Sequence, residues 1–191
     1  MKLPEKVTRR IVLTGFMGSG KTTVGPLVAQ RLGWTFVDVD DVIAAEAGTT
    51  IPEIFRSEGE TEFRRRERET IKKLARCDGL VLALGGGAIE DDATRSRLFM
   101  RRETLVVHLE VKLETTLARC KGTENLRPVL ADEANLKDRY ERRLPLYRMA
   151  HVTLEVDSMT PDDVADAIFC AASGWRGVNP RLVEGSSEEQ Q

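Results

Sequence analysis

The sequence predicts an α/β domain, with five parallel strands in one sheet and helices covering both faces. Three observations predict it. Short apolar runs alternate with segments of helical period, the signature of successive βα units. The strongest run, Leu80-Val81-Leu82-Ala83-Leu84, is continuously apolar rather than alternating, as a strand buried on both faces must be. Glycine-rich or acidic stretches follow three of the runs, at the carboxyl ends of strands, where open parallel sheets bind their ligands.

Composition bounds the rest. A chain of 191 residues suits one domain with a substantial core. The formal net charge of −2 gives no case for nucleic acid or an acidic membrane as partner. No segment is long and apolar enough to span a bilayer, and residues 1–10 lack the apolar centre of a secretion signal. Cys77, Cys120 and Cys170 are odd in number and form no C-x-x-C pair, so a reducing, cytoplasmic setting is expected. Residues 1–8 read as a loose leader, 9–176 as the domain, and 177–191 as a polar, disordered tail.

Taken in order, Arg9 to Thr14 is a buried strand, and the following helix runs to Leu32 before the stop at Gly33. Thr35 to Asp40 is a short strand ending in carboxylates, and Asp41 to Ala47 a short helix closed by Gly48. Thr50, Pro52 and Glu53 mark a helix start with a capping box. Residues 60–76 form a long charged helix whose buried stripe is Phe63, Thr70, Ile71 and Leu74, with Glu62–Arg66 and Glu69–Lys73 as surface pairs. Arg64 falls at the edge of that stripe, facing a cleft. After the strand at 80–84, Gly85-Gly86-Gly87 reads either as a close backbone approach to something or as a plain tight turn. Helices at 91–100 and 112–119 flank a strand at 104–109. Residues 120–130 read as a mobile segment, 132–150 as a helix kinked or broken at Pro145, and 152–156 as the last strand. Thr160-Pro161-Asp162-Asp163 starts the last helix.

Chemistry concentrates in Gly15-Phe16-Met17-Gly18-Ser19-Gly20-Lys21-Thr22, a match to G-x-x-x-x-G-K-[ST] between a strand and a helix. Gly15, Gly18 and Gly20 let backbone N–H groups curl around phosphates, and the helix N-terminus adds its positive end. Lys21 reaches the β- and γ-phosphates, and the Thr22 hydroxyl suits Mg²⁺. Asp38 and Asp40, two apart on a strand, point to one face: one carboxylate to act on Mg²⁺ through water, the other to accept a hydroxyl proton. Capping of the next helix is the structural alternative for Asp40. Arg127, in the mobile segment, is either a lid arginine or a surface residue, and Arg143 is equally open. His108, His151 and the Met, Trp and Tyr residues read as packing.

From Arg9 to Ala172 the chain resembles the shikimate kinases, small P-loop kinases of the nucleoside-monophosphate-kinase type. The resemblance rests on the loop through Gly25, on Asp38-Val39-Asp40, and on Ile54-Phe55 and Gly59-Glu60. Phe63-Arg64-Arg65 with Glu67, Leu84-Gly85-Gly86-Gly87-Ala88, Arg127-Pro128 and Arg143-Leu144-Pro145-Leu146-Tyr147 complete it. It implies phosphorylation of the 3-hydroxyl of shikimate by ATP with Mg²⁺, by a monomer on the route to chorismate. Lys21, Asp40 and Arg127 would be catalytic. Gly18, Ser19, Gly20, Lys21, Thr22 and Thr23 would bind ATP, with Arg119 and Pro161 flanking the adenine and Arg127 on the γ-phosphate. Asp40, Arg64, Gly85, Gly86, Gly87 and Arg143 would bind shikimate. Thr22 would hold the metal, with Asp38 acting through water, and residues 120–130 would be the lid.

Rival readings are a gluconate or nucleoside-monophosphate kinase, a non-catalytic binder of ATP or shikimate, and a nucleotide-driven switch read by a partner protein. With 5% aromatic residues and an Arg/Asp/Gly acceptor set, a nucleotide acceptor is disfavoured. The presence of Lys21, Asp40 and Arg127 disfavours a non-catalytic role.

Overall fold

The computed structural model describes residues 8–120 and 133–177. Arg127, the lid beyond Cys120, the leader before Thr8 and the tail beyond Gly177 lie outside the described residues. Five strands, β1 (Arg10–Thr14), β2 (Thr35–Asp38), β3 (Leu80–Ala83), β4 (Thr104–Glu110) and β5 (Val152–Glu155), form one sheet in the order β2-β3-β1-β4-β5. Every pairing is parallel, as the alternation of elements requires. The helices are α1 (Lys21–Leu32), α2 (Val39–Ala47), α3 (Ile51–Ser57), α4 (Gly59–Leu74), α5 (Asp92–Phe99), α6 (Leu113–Cys120), α7 (Glu133–Tyr147) and α8 (Pro161–Gly174).

The continuous apolar runs fill two cores, one on each face of the sheet. Val12, Leu80, Leu82 and Val106 point to one, with Ile43, Ile54, Phe63, Ile71 and Leu98 from the helices. Ile11, Leu13, Val81, Leu105 and Val107 point to the other, with Val24, Val28, Val164 and Ile168. The period-2 alternation of strand side chains assigns each residue to its face. On the second face α1 lies close to β2, because a Cβ on Gly25 would overlap the Phe36 ring. Thr8, at the end of the expected leader, is buried and donates to the Ala172 carbonyl at 3.0 Å.

Register aligns the strand ends. Leu13 pairs with Ala83 and with Val107, and Ala83 with Asp38. The P-loop, the segment at 38–40 and the glycine triplet therefore leave the sheet at one level. Because β3 lies between β2 and β1, the last two are neighbours on one side of the P-loop. The segments after β4 and β5 lie on the other side.

Three expectations are corrected. Asp38 ends β2, but Asp40 does not share its strand. α2 starts at Val39, and the Asp38 carboxylate caps it by accepting the Asp40 N–H at 3.0 Å. Capping by an acid stabilises a helix start there. The helix at 133–147 does not break at Pro145 but continues two residues to Tyr147. Proline removes one intrahelical bond there, near the helix end, and Tyr147 is anchored by fully buried packing. Glu69 pairs with Lys72 rather than Lys73, which reaches Glu46 on α2 instead. Glu62–Arg66 forms as expected, at 3.1 Å.

Both helix starts with Thr and Pro form caps. Thr160 and Asp163 make the full reciprocal box. At Thr50 the expected box is only half made: its hydroxyl accepts the Glu53 N–H, but the Glu53 carboxylate does not reach back, because Arg56 holds both its oxygens. Both histidines are buried. His151 accepts the Val106 N–H through Nδ1, and its Nε2 lies 2.9 Å from the Phe99 carbonyl, so a neutral ring with the proton on Nε2 bridges two segments. Burial pushes its pKa down, consistent with that form.

Candidate active site

The P-loop is built as its glycines require. Gly18 and Gly20 have φ of 73° and 92°, a left-handed conformation that glycine adopts without strain, and Gly20 caps α1. A Cβ on Gly15 would come within 2.6 Å of the Leu109 carbonyl on β4. The Lys21 ammonium lies along the loop, donating to the Gly15 carbonyl at 2.8 Å, the Phe16 carbonyl at 3.1 Å and the Ser19 hydroxyl at 3.3 Å. Thr22 and Thr23 follow in the first turn of α1.

Thr22 meets Asp38 across the sheet edge. Its hydroxyl donates to Asp38 Oδ2 at 3.0 Å, while Oδ1 caps α2. Both carboxylate oxygens are thus oriented, and a hydroxyl and a carboxylate stand side by side at the start of α1. These hard oxygen donors fit Mg²⁺.

A second group of polar side chains is assembled on the glycine triplet. Asp40, in the first turn of α2, and Glu67, from α4, converge on Gly85. A Cβ placed there would lie 2.9 Å from Asp40 Oδ1 and 2.7 Å from Glu67 Oε1. Neither oxygen has a hydrogen-bond partner among the described residues. Burial, and then Asp38, push the Asp40 pKa up to about 6, and burial pushes that of Glu67 up to about 7 against the pull of Arg64.

Arg64 sits where its place on the helical wheel put it, half-buried at the edge of the stripe. Its Nη1 donates to Glu67 Oε2 at 2.7 Å and its Nη2 to Glu60 at 3.2 Å. A Cβ on Gly87 would run into its guanidinium, 2.7 Å from Cζ. Arg143, from α7, reaches the same turn. Its Nη1 lies 3.6 Å from where a Cβ on Gly86 would be, and Tyr147, one helical turn on, donates to the Gly86 carbonyl at 2.6 Å. Each glycine of the triplet thus faces different polar side chains; a Cβ at Gly85 or Gly87 would displace them, whereas one at Gly86 would only touch Tyr147 and Arg143.

On the far side of the P-loop, Arg119 stands in the last turn of α6. It donates to the Gly18 carbonyl at 3.1 Å and to the carbonyl of Val156, the residue after β5, at 3.5 Å. Asp157 steadies the start of α6 by accepting the Lys112 N–H and, at 2.5 Å, the Thr115 hydroxyl. Pro161 opens α8, which packs on α1.

The sequence reading gave no site role to three contributors, although Glu67 and Tyr147 stand in the motifs that carry the resemblance. Glu67 is 2% exposed in a helix rich in charge. Its spacing was the available signal, since it falls four residues after Phe63 and three before Thr70, on the buried stripe. Glu90 and the Tyr147 hydroxyl had no such signal, because their partners lie 53 and 61 residues away in the chain.

The family model described as shikimate kinase matches residues 17–172. A shikimate kinase of Salinibacter ruber is 43% identical over 159 residues, covering 78% of this chain and 77% of that one. One from Thermodesulfovibrio yellowstonii is 40% identical over 164 residues, covering 84% and 93%. Among solved structures, a shikimate kinase of Acinetobacter baumannii in complex with shikimate superimposes with a TM-score of 0.79 at 36% identity, covering 96% of this chain and 97% of that one. One from Aquifex aeolicus gives 0.70 at 30% identity, covering 86% and 96%. The P-loop, the polar pocket beside it and these matches agree: the chain belongs to the shikimate kinase family.

Proposed function

We propose that the chain transfers the γ-phosphoryl group of ATP to the 3-hydroxyl of shikimate, with Asp40 accepting the hydroxyl proton. The observation that carries this reading is the convergence of Asp40, Arg64 and Arg143 on Gly85–Gly87, beside the P-loop. Shikimate is a small polyol bearing a carboxylate. Two guanidinium forks suit the carboxylate, and the Gly86 and Gly87 backbone adds close approach. Asp40 suits the reacting hydroxyl. With a pKa near 6 it is mostly ionised at neutral pH, yet basic enough to take a proton in the transition state. Glu67 opposes Arg64 and keeps its fork aimed at the turn.

Phosphoryl transfer needs little covalent help from the protein. It needs in-line positioning and positive charge around the γ-phosphoryl oxygens. Lys21 and the N-terminus of α1 supply that charge from the loop. Arg127, outside the described residues, is assigned to the γ-phosphate as the lid arginine, and Arg119 and Pro161 to the adenine. Thr22 would hold Mg²⁺ directly and Asp38 through water. Bound there, the ion neutralises charge on the transferring group. Residues 9–176 make up the kinase domain, which acts as a cytoplasmic monomer.

The test is ADP release from Mg-ATP with shikimate, gluconate or AMP as acceptor, for wild type and Asp40→Asn. Release with shikimate alone, lost in Asp40→Asn, is the expected result. Release with gluconate or AMP instead would discard the acceptor. ATP binding without acceptor-dependent release would favour a regulator.

A further inference from the structure

We infer that Glu90 is a positioning residue of the acceptor pocket: it holds Arg143 by one edge of the guanidinium and leaves the other edge for the substrate carboxylate. The inference rests on the assignment of Arg143 to shikimate. Arg143 is 6% exposed, and a guanidinium so buried needs an anion. Its Nε and Nη2 both donate to Glu90 Oε2, at 3.0 and 2.8 Å. Nη1 is the remaining nitrogen; it lies beside Gly86, next to the Tyr147 hydroxyl, with which Arg143 also interacts, so the edge facing the turn is bordered by a neutral group and not by a second anion.

Glu90 stands in the short 3-10 turn Ala88–Glu90, which follows the glycine triplet directly. The clamp is therefore mutual. Tyr147 of α7 donates back to the Gly86 carbonyl, while Glu90 of the turn receives Arg143 of α7. The second oxygen of Glu90 accepts Arg142 at 3.0 Å through Nε. Arg142 is largely exposed, so that pair steadies the carboxylate from solvent without entering the pocket. The two pocket arginines thus follow one pattern, each backed by its own glutamate: Glu67 for Arg64 and Glu90 for Arg143. The second pair crosses between chain segments, so it also sets the distance between α7 and the turn.

Steady-state kinetics on the full chain test this with Glu90→Ala, Glu90→Gln, Arg142→Ala, Arg143→Met and the double variant Glu90→Ala/Arg143→Met. Glu90→Ala is expected to raise the KM for shikimate about tenfold, the scale of one charged hydrogen bond. The KM for ATP and kcat should stay within about twofold, and Glu90→Gln, which keeps an acceptor oxygen, should recover part of the loss. Arg142→Ala should leave the KM for shikimate unchanged. In the Arg143→Met background, Glu90→Ala should add nothing, because its effect runs through Arg143. A lowered KM in Glu90→Ala would mean that Glu90 competes with substrate for Arg143 and would overturn the inference, as would additive effects in the double variant. If Arg143→Met itself leaves the KM for shikimate unchanged, the assignment of Arg143 fails first, and this reading with it.

Discussion

The phosphate-binding side and the acceptor side of this site leave the sheet at the same level, yet they are built in different ways. Gly15 to Thr23 is one uninterrupted stretch, and its shape follows from local rules: left-handed glycines, a helix start, a lysine lying along its own loop. The acceptor pocket draws on α2, α4, the turn after β3 and α7, and its polar groups meet only because the strand order places β3 between β2 and β1. A contiguous site survives changes in the rest of the fold, whereas an assembled one depends on every spacing between its parts. The acceptor side also carries the buried carboxylates with raised pKa values, so the environment that shapes its chemistry is tertiary.

If the two sides are independent, their variants should separate cleanly. Asp40→Asn is expected to have the largest effect, lowering kcat by about 10³-fold, within the range for a lost acid–base group. ATP affinity by calorimetry should change less than about twofold. Equal weakening of ATP and shikimate binding would show that the sides are coupled through Asp38 and Thr22.

Next comes Gly85→Ala. The added methyl would stand 2.7 Å from Glu67 Oε1 and 2.9 Å from Asp40 Oδ1, so both carboxylates must move. A displacement of that size should cost about 100-fold in kcat/KM for shikimate, with ATP binding retained. Unchanged kinetics would mean that the close approach at Gly85 is not part of the working site.

A smaller effect separates the sides by pH. Glu67 has its folded-state pKa raised from 4.5 to about 7, so between those values the folded chain binds the extra proton. Stability from this group is full below the unfolded value and is lost as pH rises through the folded one. The slope is at most about 1.4 kcal/mol per pH unit. Urea unfolding of Glu67→Gln at several pH values between these limits should show a flatter decline than wild type. An identical slope would place the titration elsewhere.

The smallest effect belongs to a purely local device. Thr50→Ala removes the cap on the Glu53 N–H of α3 and should cost about 1 kcal/mol of stability while leaving both KM values alone. Any loss of shikimate affinity in that variant would extend the assembled pocket to α3.

Legibility in the sequence followed the same division. The loop, the strands and the caps at Thr50 and Thr160 were readable because each is specified within a few residues. Arg64 was readable from its angle on α4, and Glu67 could have been, since it shares the stripe with Phe63 and Thr70. Asp40 was recognised as a residue but misplaced as part of a strand. The spacing of two carboxylates looks the same at a strand end and at a capped helix start, and the cap at Asp38 decided the matter. Pro145 was read as a kink or break because proline costs a helix one bond; the helix does not break there, since the packing of Tyr147 and its hydrogen bond to Gly86 hold the last turn in place.

By itself, the sequence determined the βα alternation, the phosphate-binding loop and the set of residue types that an anionic polyol needs, because periodicity, turn chemistry and helix caps act over a few residues. Tertiary structure alone decided which carboxylate backs which arginine, which oxygens are left open in the pocket and how far Asp40 and Glu67 shift from ordinary acids. Those properties depend on burial and on distances between segments dozens of residues apart, and neither is encoded in any short stretch of the chain.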